Sequence, residues 1–251
     1  MVEAACVGVG GVSASQVEMH SQLSLYDGIT TADIQETLIR SASDLITLDN
    51  PNYQFVAARL LLFSLRKSIN GRIWDTCTLE EQIQYGIEQG VYDKAILDYY
   101  SSEELAELNS YIDHDRDLKF TYAGLRQVYD KYLVQDRSNG KIYEAPQFMY
   151  MLIAATIFHG YPKANRLQYV RRYYDAVSKH LINIPTPIMS GVATTLSKSI
   201  HPFLMSSASR FLWAASAEAS SGFLGARHTK KSLFWKPNGA LRTPGGPQKG
   251  S

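Results

Sequence analysis

The chain has 251 residues, with 25 basic and 24 acidic side chains, a formal net charge of +1 and a 45% hydrophobic share. That share supports a sizeable core, and the near-zero charge excludes a generally basic protein built to coat nucleic acid. Two cysteines, Cys6 and Cys77, exclude a disulfide scaffold and a multi-cysteine metal cluster, and they cap any thiol chemistry.

Val2-Glu3-Ala4 follow Met1 where a secretory leader would place basic residues and an apolar run, so the cytoplasm is the expected compartment. Gly8, Gly10 and Gly11 lack both a preceding strand and a following Gly-Lys-Ser/Thr, which reads as a flexible start rather than a phosphate loop. Residues 31–48 read as an amphipathic helix, with Ile34, Leu38, Ile39, Ala42, Leu45 and Ile46 on its apolar side. Pro51 before it and Gly71 after it delimit a second helix over 53–68. Shorter helices are expected over 80–88 and 101–111, the latter with a serine cap and acids in its first turn.

Asp113-His114-Asp115-Arg116-Asp117 packs five charged or ionisable side chains together. Adjacent side chains point in different directions, so local ion pairing and capping fits this run better than a metal site. Residues 131–134 and 141–143 read as a hairpin, with Asn139-Gly140 supplying the positive φ angles of a tight turn. Pro146 opens a nearly all-apolar helix to Phe158 that should be buried, and Pro162 opens another to about His180. Residues 181–184 read as the start of a buried strand. His20, His159 and His180 stand alone and read as structural. The fold class is mainly α with one small β-hairpin.

Composition changes near residue 193. All 16 tyrosines precede it, and the last 59 residues hold eight Lys/Arg against the single acid Glu218. The tail therefore carries +7 and the preceding body −6. Serine-rich and ending in a Gly/Pro run, it reads as poorly ordered and as a segment outside this fold; a basic arm for nucleic acid or acidic membrane is the alternative. Residues 200–226 are apolar but carry Arg210 and Glu218, and do not read as a membrane span. Neither a membrane nor nucleic acid is an expected partner.

Several exact runs go beyond periodicity. Tyr26-Asp27-Gly28-Ile29, Asp33-Ile34-Gln35-Glu36-Thr37 and Ala57-Ala58-Arg59-Leu60 resemble the ATP-cone and the segment after it in the large catalytic subunit of class I ribonucleotide reductase. Ile112-Asp113-His114-Asp115-Arg116-Asp117, Lys131-Tyr132-Leu133-Val134-Gln135 and Arg166-Leu167-Gln168-Tyr169-Val170 are similar to the helical N-terminal region of that subunit. Pro185-Thr186-Pro187-Ile188-Met189-Ser190-Gly191-Val192 resembles the family's run into its ten-stranded α/β barrel. The resemblance implies a partial ATP-cone over 1–70, the helical N-terminal domain over 71–192 and a divergent basic tail over 193–251.

It also implies the reduction of ribonucleoside diphosphates to deoxyribonucleotides, with a radical supplied by a small metal-containing subunit and with self-association of the large subunit. Thr186 matches the family's threonine for the substrate diphosphate, and a turn residue between two prolines is the alternative reading. Thr31 and Lys67 fall where the cone contacts its ATP or dATP effector, while Gln35 stands where a histidine is common. The chemistry needs a thiyl radical and a dithiol pair, three thiols in all. Pro202 stands where a reducing cysteine is due, and the opening hairpin of the cone and the barrel are not found. The expectation is therefore a chain that lacks catalytic residues and is inactive alone. The alternatives are one half of a split reductase completed by a separate barrel polypeptide, or a non-catalytic nucleotide-binding module.

Overall fold

The computed structural model describes residues 1–22, 24–74, 76–191 and 194. It is mainly helical with one two-stranded sheet, as the sequence predicts. The expectation of a poorly ordered tail over 193–251 falls, Thr194 apart, outside the described residues.

The first elements are α1 (Val2–Cys6), α2 (Ala14–Gln22), α3 (Thr31–Asp44) and α4 (Tyr53–Asn70). Thr30 starts α3 by accepting the Asp33 N–H at 3.2 Å, and the helix stops short of Leu48, which is fully exposed. Helix α4 is the central one. Val56, Ala57, Leu60, Leu62 and Phe63 are buried on it, and it packs against α1 and α3. Gly71 closes it with a φ of 70° that a side chain would resist, its N–H bonding to the Lys67 carbonyl at 2.9 Å.

The expected flexible start is instead pinned to α4. Arg59 donates to the carbonyls of Ala5 at 3.1 Å and Val7 at 2.6 Å, and Asn52 donates to that of Gly10 at 2.8 Å. These bonds satisfy backbone acceptors that the short α1 and its glycine turn leave open. Ala5 and Val17 are completely buried as a result.

Two helices start with reciprocal capping boxes: α5 (Leu79–Glu88) with Thr78 and Glu81, and α7 (Ser102–Tyr111) with Ser101 and Glu104. The short α6 (Ala95–Tyr99) lies between them. A 3-10 turn over His114–Lys119 then leads into α8 (Tyr122–Lys131), and both pack on α4. The acidic run is the capping device it was expected to be: the Asp113 carboxylate accepts the Asp115 N–H at 3.1 Å, and Arg116 pairs with Asp113 at 3.2 Å and Asp175 at 2.8 Å.

The hairpin forms four residues downstream of its expected first strand. Strand β1 is Gln135–Asp136 and pairs antiparallel with β2, Lys141–Ile142, because residue 131 still belongs to α8. Only Gly140 takes a positive φ, 74°, not Asn139. The Asp136 carboxylate builds the turn, accepting the N–H of Ser138 at 2.9 Å and the Asn139 amide at 2.8 Å.

Helix α9 (Pro146–Phe158) is buried along nearly its whole length, matching its continuous apolar sequence, and α10 (Lys163–Ser178) packs against it. Helix α10 ends in a Schellman motif: His180 N–H bonds to the Val177 carbonyl and Leu181 N–H to that of Ala176, both at 2.9 Å. His180 takes the left-handed position at φ 57°, which gives this isolated histidine a structural role.

The strand expected over 181–184 does not form. Leu181 is 72% exposed, and the chain turns directly into the short helix α11 (Thr186–Gly191). The Pro185 carbonyl takes the N–H groups of Ile188 at 3.0 Å and Met189 at 3.3 Å, and no strand among the described residues lies alongside to pair with this segment. A single antiparallel bridge joins Tyr92 to Thr194.

Glu144 is buried between the hairpin and α9. It accepts the Tyr92 hydroxyl and, at 3.0 Å, the Val134 N–H. Burial pushes its carboxyl up to about 7. A carboxyl whose folded pKa lies above its unfolded one binds more protons folded than unfolded, so it costs stability as pH rises from about 4.5 to about 7. Glu144→Gln removes that cost. Urea unfolding at pH 5 and pH 7.5 should show the variant gaining on the parent as pH rises.

Candidate functional site

An open cleft of about 490 Å³ lies between the N-terminal end of α3 and the C-terminal end of α4, within the size range of small-molecule sites. Thr31, Ile34 and Gln35 line it from α3, Lys67 from α4, and Gly71, Arg72, Ile73 and Trp74 from the loop beyond. Both effector residues expected from the sequence are therefore brought together, 36 positions apart in the chain. Packing of α3 against α4 brings the two together, and the left-handed turn at Gly71 leads into the loop that adds Arg72, Ile73 and Trp74 to the lining.

Met1 also lines the cleft, Lys67 and Arg72 are its charged side chains, and no carboxylate is among the described residues that line it; the first turn of α3 brings the positive end of the helix dipole together with the acid Asp33. Gln35 is held from behind, its Oε1 accepting the Ser64 hydroxyl at 3.4 Å. Trp74 is 62% exposed at the edge, with the buried Phe63 ring edge-on to it at 5.0 Å. The sequence reading missed Trp74 and Arg72. Their signal was the helix-ending glycine next to them, which fixes where the following loop must go.

Thr186 lies elsewhere. It is exposed at the first position of α11, and its hydroxyl is 3.2 Å from the Tyr132 hydroxyl at the end of α8, a bond in which either group can donate. Tyr132 was also missed, since 54 positions separate the pair.

A buried polar network lies behind α4. Asp117 is held by Arg66 at 3.5 Å and by the Gln147 amide at 2.7 Å; Gln147 in turn accepts the Tyr174 hydroxyl at 2.7 Å. Arg66 also donates to the His114 carbonyl at 2.6 Å. Burial pushes the Asp117 carboxyl up to about 6 and the His114 imidazole down to about 4. These groups join α4, the 3-10 turn, α9 and α10, and none of them lines the cleft.

Both cysteines are free thiols. Burial raises each pKa, which disfavours the nucleophilic thiolate, and the Cys77 thiol is turned toward the side-chain amide oxygen Oε1 of Gln82 at 3.7 Å. Among the described residues no group of three or more His, Cys, Asp or Glu side chains could hold a metal ion, and no helix is long and apolar enough to cross a membrane.

Comparison with known proteins adds to this geometry. Residues 118–197 match the family described as ribonucleotide reductase, all-alpha domain. Over 190 residues, 76% of its length, the chain is 50% identical to ribonucleoside-diphosphate reductase 1 subunit alpha of Escherichia coli strain K12. The chain belongs to the ribonucleotide reductase large-subunit family. The subunit alpha of Haemophilus influenzae is 48% identical over 190 residues, and that of Helicobacter pylori 36% over 185 residues. The chain spans about a quarter of the length of these reductase subunits, 25% of the Escherichia coli protein and 23% of the Helicobacter pylori one. Both the cleft and Thr186 lie in the part of the chain that the resemblance covered from its sequence runs.

Proposed function

We propose that the chain supplies the N-terminal region of a ribonucleoside-diphosphate reductase large subunit and does not reduce nucleotides by itself. The observation that carries this is the identity over 190 residues set against a total of two thiols. Reduction at the ribose 2′-position needs a sulfur radical to abstract a ribose hydrogen, and a dithiol that delivers two electrons as it becomes a disulfide. Cys6 and Cys77 are one thiol short of that requirement. Both are held toward the protonated form, and neither lines the cleft.

In this reading residues 1–70 are a partial ATP-cone, 71–192 the helical N-terminal domain and 193–251 a divergent tail. The cleft is an effector site for ATP or dATP. Thr31 presents its hydroxyl at the α3 N-terminus, and Lys67 provides a cation for phosphate. Thr186 holds the diphosphate of a substrate whose remaining contacts come from a barrel, with Tyr132 fixing the direction of its hydroxyl. The partners are a small radical-generating subunit and other large subunits, in the cytoplasm, with no nucleic acid and no membrane.

Incubating the purified chain with CDP, a small subunit and a dithiol should yield no dCDP. Turnover above the small-subunit control would overturn the proposal. A second reading is one half of a split enzyme completed by a separate barrel polypeptide. Co-expression with a polypeptide carrying the barrel should then yield a complex that co-purifies, and separate elution would refute that reading.

A further inference from the structure

We propose that Glu144, Tyr92 and Gln82 form a proton-operated clamp on the hairpin. With Glu144 ionised, the Gln82 amide holds the Tyr143 carbonyl; uptake of one proton at Glu144 turns that amide over and releases the carbonyl.

The three side chains are buried, at 1% exposure for Glu144 and Gln82 and 2% for Tyr92, so their donors and acceptors need partners inside the protein. With Glu144 ionised, each has one. Its Oε1 accepts the Val134 N–H at 3.0 Å and its Oε2 the Tyr92 hydroxyl. Gln82 Nε2 donates to the Tyr92 oxygen at 3.3 Å and to the Tyr143 carbonyl at 2.9 Å, and Gln82 Oε1 accepts the Cys77 thiol at 3.7 Å. The bond to Tyr143 ties the β2 end of the hairpin to α5.

A proton added to Glu144 breaks this pattern. Oε1 already receives the Val134 N–H, so the proton goes to Oε2, facing the Tyr92 oxygen. Only one hydrogen fits between those two oxygens. When Glu144 supplies it, the Tyr92 hydroxyl must send its own proton elsewhere, and Gln82 is the other group bonded to it. Half a turn of the Gln82 amide offers Oε1 to that proton. The same half-turn sets an oxygen against the Tyr143 carbonyl, across a gap of 2.9 Å, where two acceptors repel. Proton and hairpin are thus linked through one amide.

The surroundings leave the proton to decide. No described cation pairs with Glu144: Lys141 of β2 lies over the rings of Tyr85 and Tyr143, and Arg66 of α4 is paired with Asp117. Helix α9 carries no charged side chain. The neighbouring carboxylates are engaged elsewhere, Glu81 with Thr78, Glu80 with Ser102, Asp93 with the Ala95 N–H and Asp136 in its turn, while Glu88 is exposed at the end of α5. Tyr92 touches Glu144 and Cys77 lies behind Gln82; burial raises both, so both keep their protons. Burial without a cation also carries the Glu144 carboxyl to about 7, which populates both states of the clamp near neutral pH.

The test follows the full chain by NMR from about pH 5 to about pH 9, for the parent, Glu144→Gln and Tyr92→Phe. The readouts are the Glu144 carboxyl carbon, the Gln82 side-chain amide and hydrogen exchange of the hairpin amides. In the parent the Gln82 signals should titrate together with the Glu144 carboxyl. Corrected for intrinsic rate, the hairpin amides should exchange roughly 2- to 12-fold faster in the protonated state, the effect of one lost hydrogen bond. Glu144→Gln reproduces the protonated pattern, so its hairpin should exchange fast at every pH. Tyr92→Phe cuts the relay: Gln82 should stay on Tyr143 and the hairpin remain slow while Glu144 itself still titrates. A Gln82 amide unchanged across the Glu144 titration would overturn the clamp, and this is read in the parent alone. A Gln82 titration that persists in Tyr92→Phe would also overturn it, by tracing the change to the field of the charge.

Discussion

Asp117→Ala should destabilise the body by about 3–5 kcal/mol, a fall in Tm of roughly 6–20 °C. The carboxylate is fully buried and its guanidinium partner nearly so, with side-chain exposures of 0% for Asp117 and 4% for Arg66. Removing the acid strands the Arg66 charge where it is already short of acceptors: its Nε has no partner, and its remaining bond is to the His114 carbonyl. It also leaves the Gln147 amide donor unpaired between α9 and the 3-10 turn. The size of the loss comes from the orphaned charge, not from the net worth of the pair. Arg66→Met should therefore cost a comparable amount, while Arg66→Met with Asp117→Ala should cost much less than the two losses added together. Urea unfolding of the four proteins measures this. Strict additivity would contradict it.

Gly86→Ala is the second large effect. Alanine is normally the better helix residue by about 1 kcal/mol, but a Cβ on Gly86 would lie 2.1 Å from Cδ2 and 2.5 Å from Cε2 of Tyr92. That ring cannot step aside. Its hydroxyl donates to the buried Glu144, it receives the Gln82 amide at 3.3 Å, and its backbone bridges to Thr194. Overpacking of this kind costs about 1–3 kcal/mol, a Tm fall of roughly 2–12 °C, and a contact this short lies at the upper end. Placing Gly86→Ala in a Tyr92→Leu background, where the ring is absent, should remove most of the added penalty. Thermal unfolding of the single and double variants checks the assignment, and a penalty unchanged in the leucine background would contradict it.

What was legible in the sequence was local. Ser101 followed by Glu103 and Glu104 announced a capped helix, and Pro146 before an unbroken apolar run announced a buried one; both formed. Gly71 marked the end of α4, and its left-handed φ confirms why glycine stands there. The failures were cases where a local signal had a non-local competitor. The pattern over 181–184 suits a strand, but a strand exists only with a partner, and here the α10 C-cap and Pro185 turn the chain into a helix instead. The Asn-Gly pair marked a turn correctly, but the Asp136 side chain, not a positive φ at Asn139, determines its geometry. The candidate site divides the same way. Thr31 and Lys67 came from the family resemblance, and the fold joins them in one cleft. Trp74 shares the cleft with Gln35 across 39 positions, Tyr132 meets Thr186 across 54 and Arg66 meets Asp117 across 51, which no spacing rule reveals.

The central claim is that this chain is a working reductase N-terminal region that lacks the reducing thiols. The most direct measurement replaces the matching 190-residue stretch of the Escherichia coli reductase subunit alpha with its 50% identical counterpart from this chain. CDP reduction by the chimera is then assayed with the Escherichia coli small subunit. The account predicts dCDP formation by the chimera and none by the chain alone. A folded, soluble chimera without turnover would contradict it.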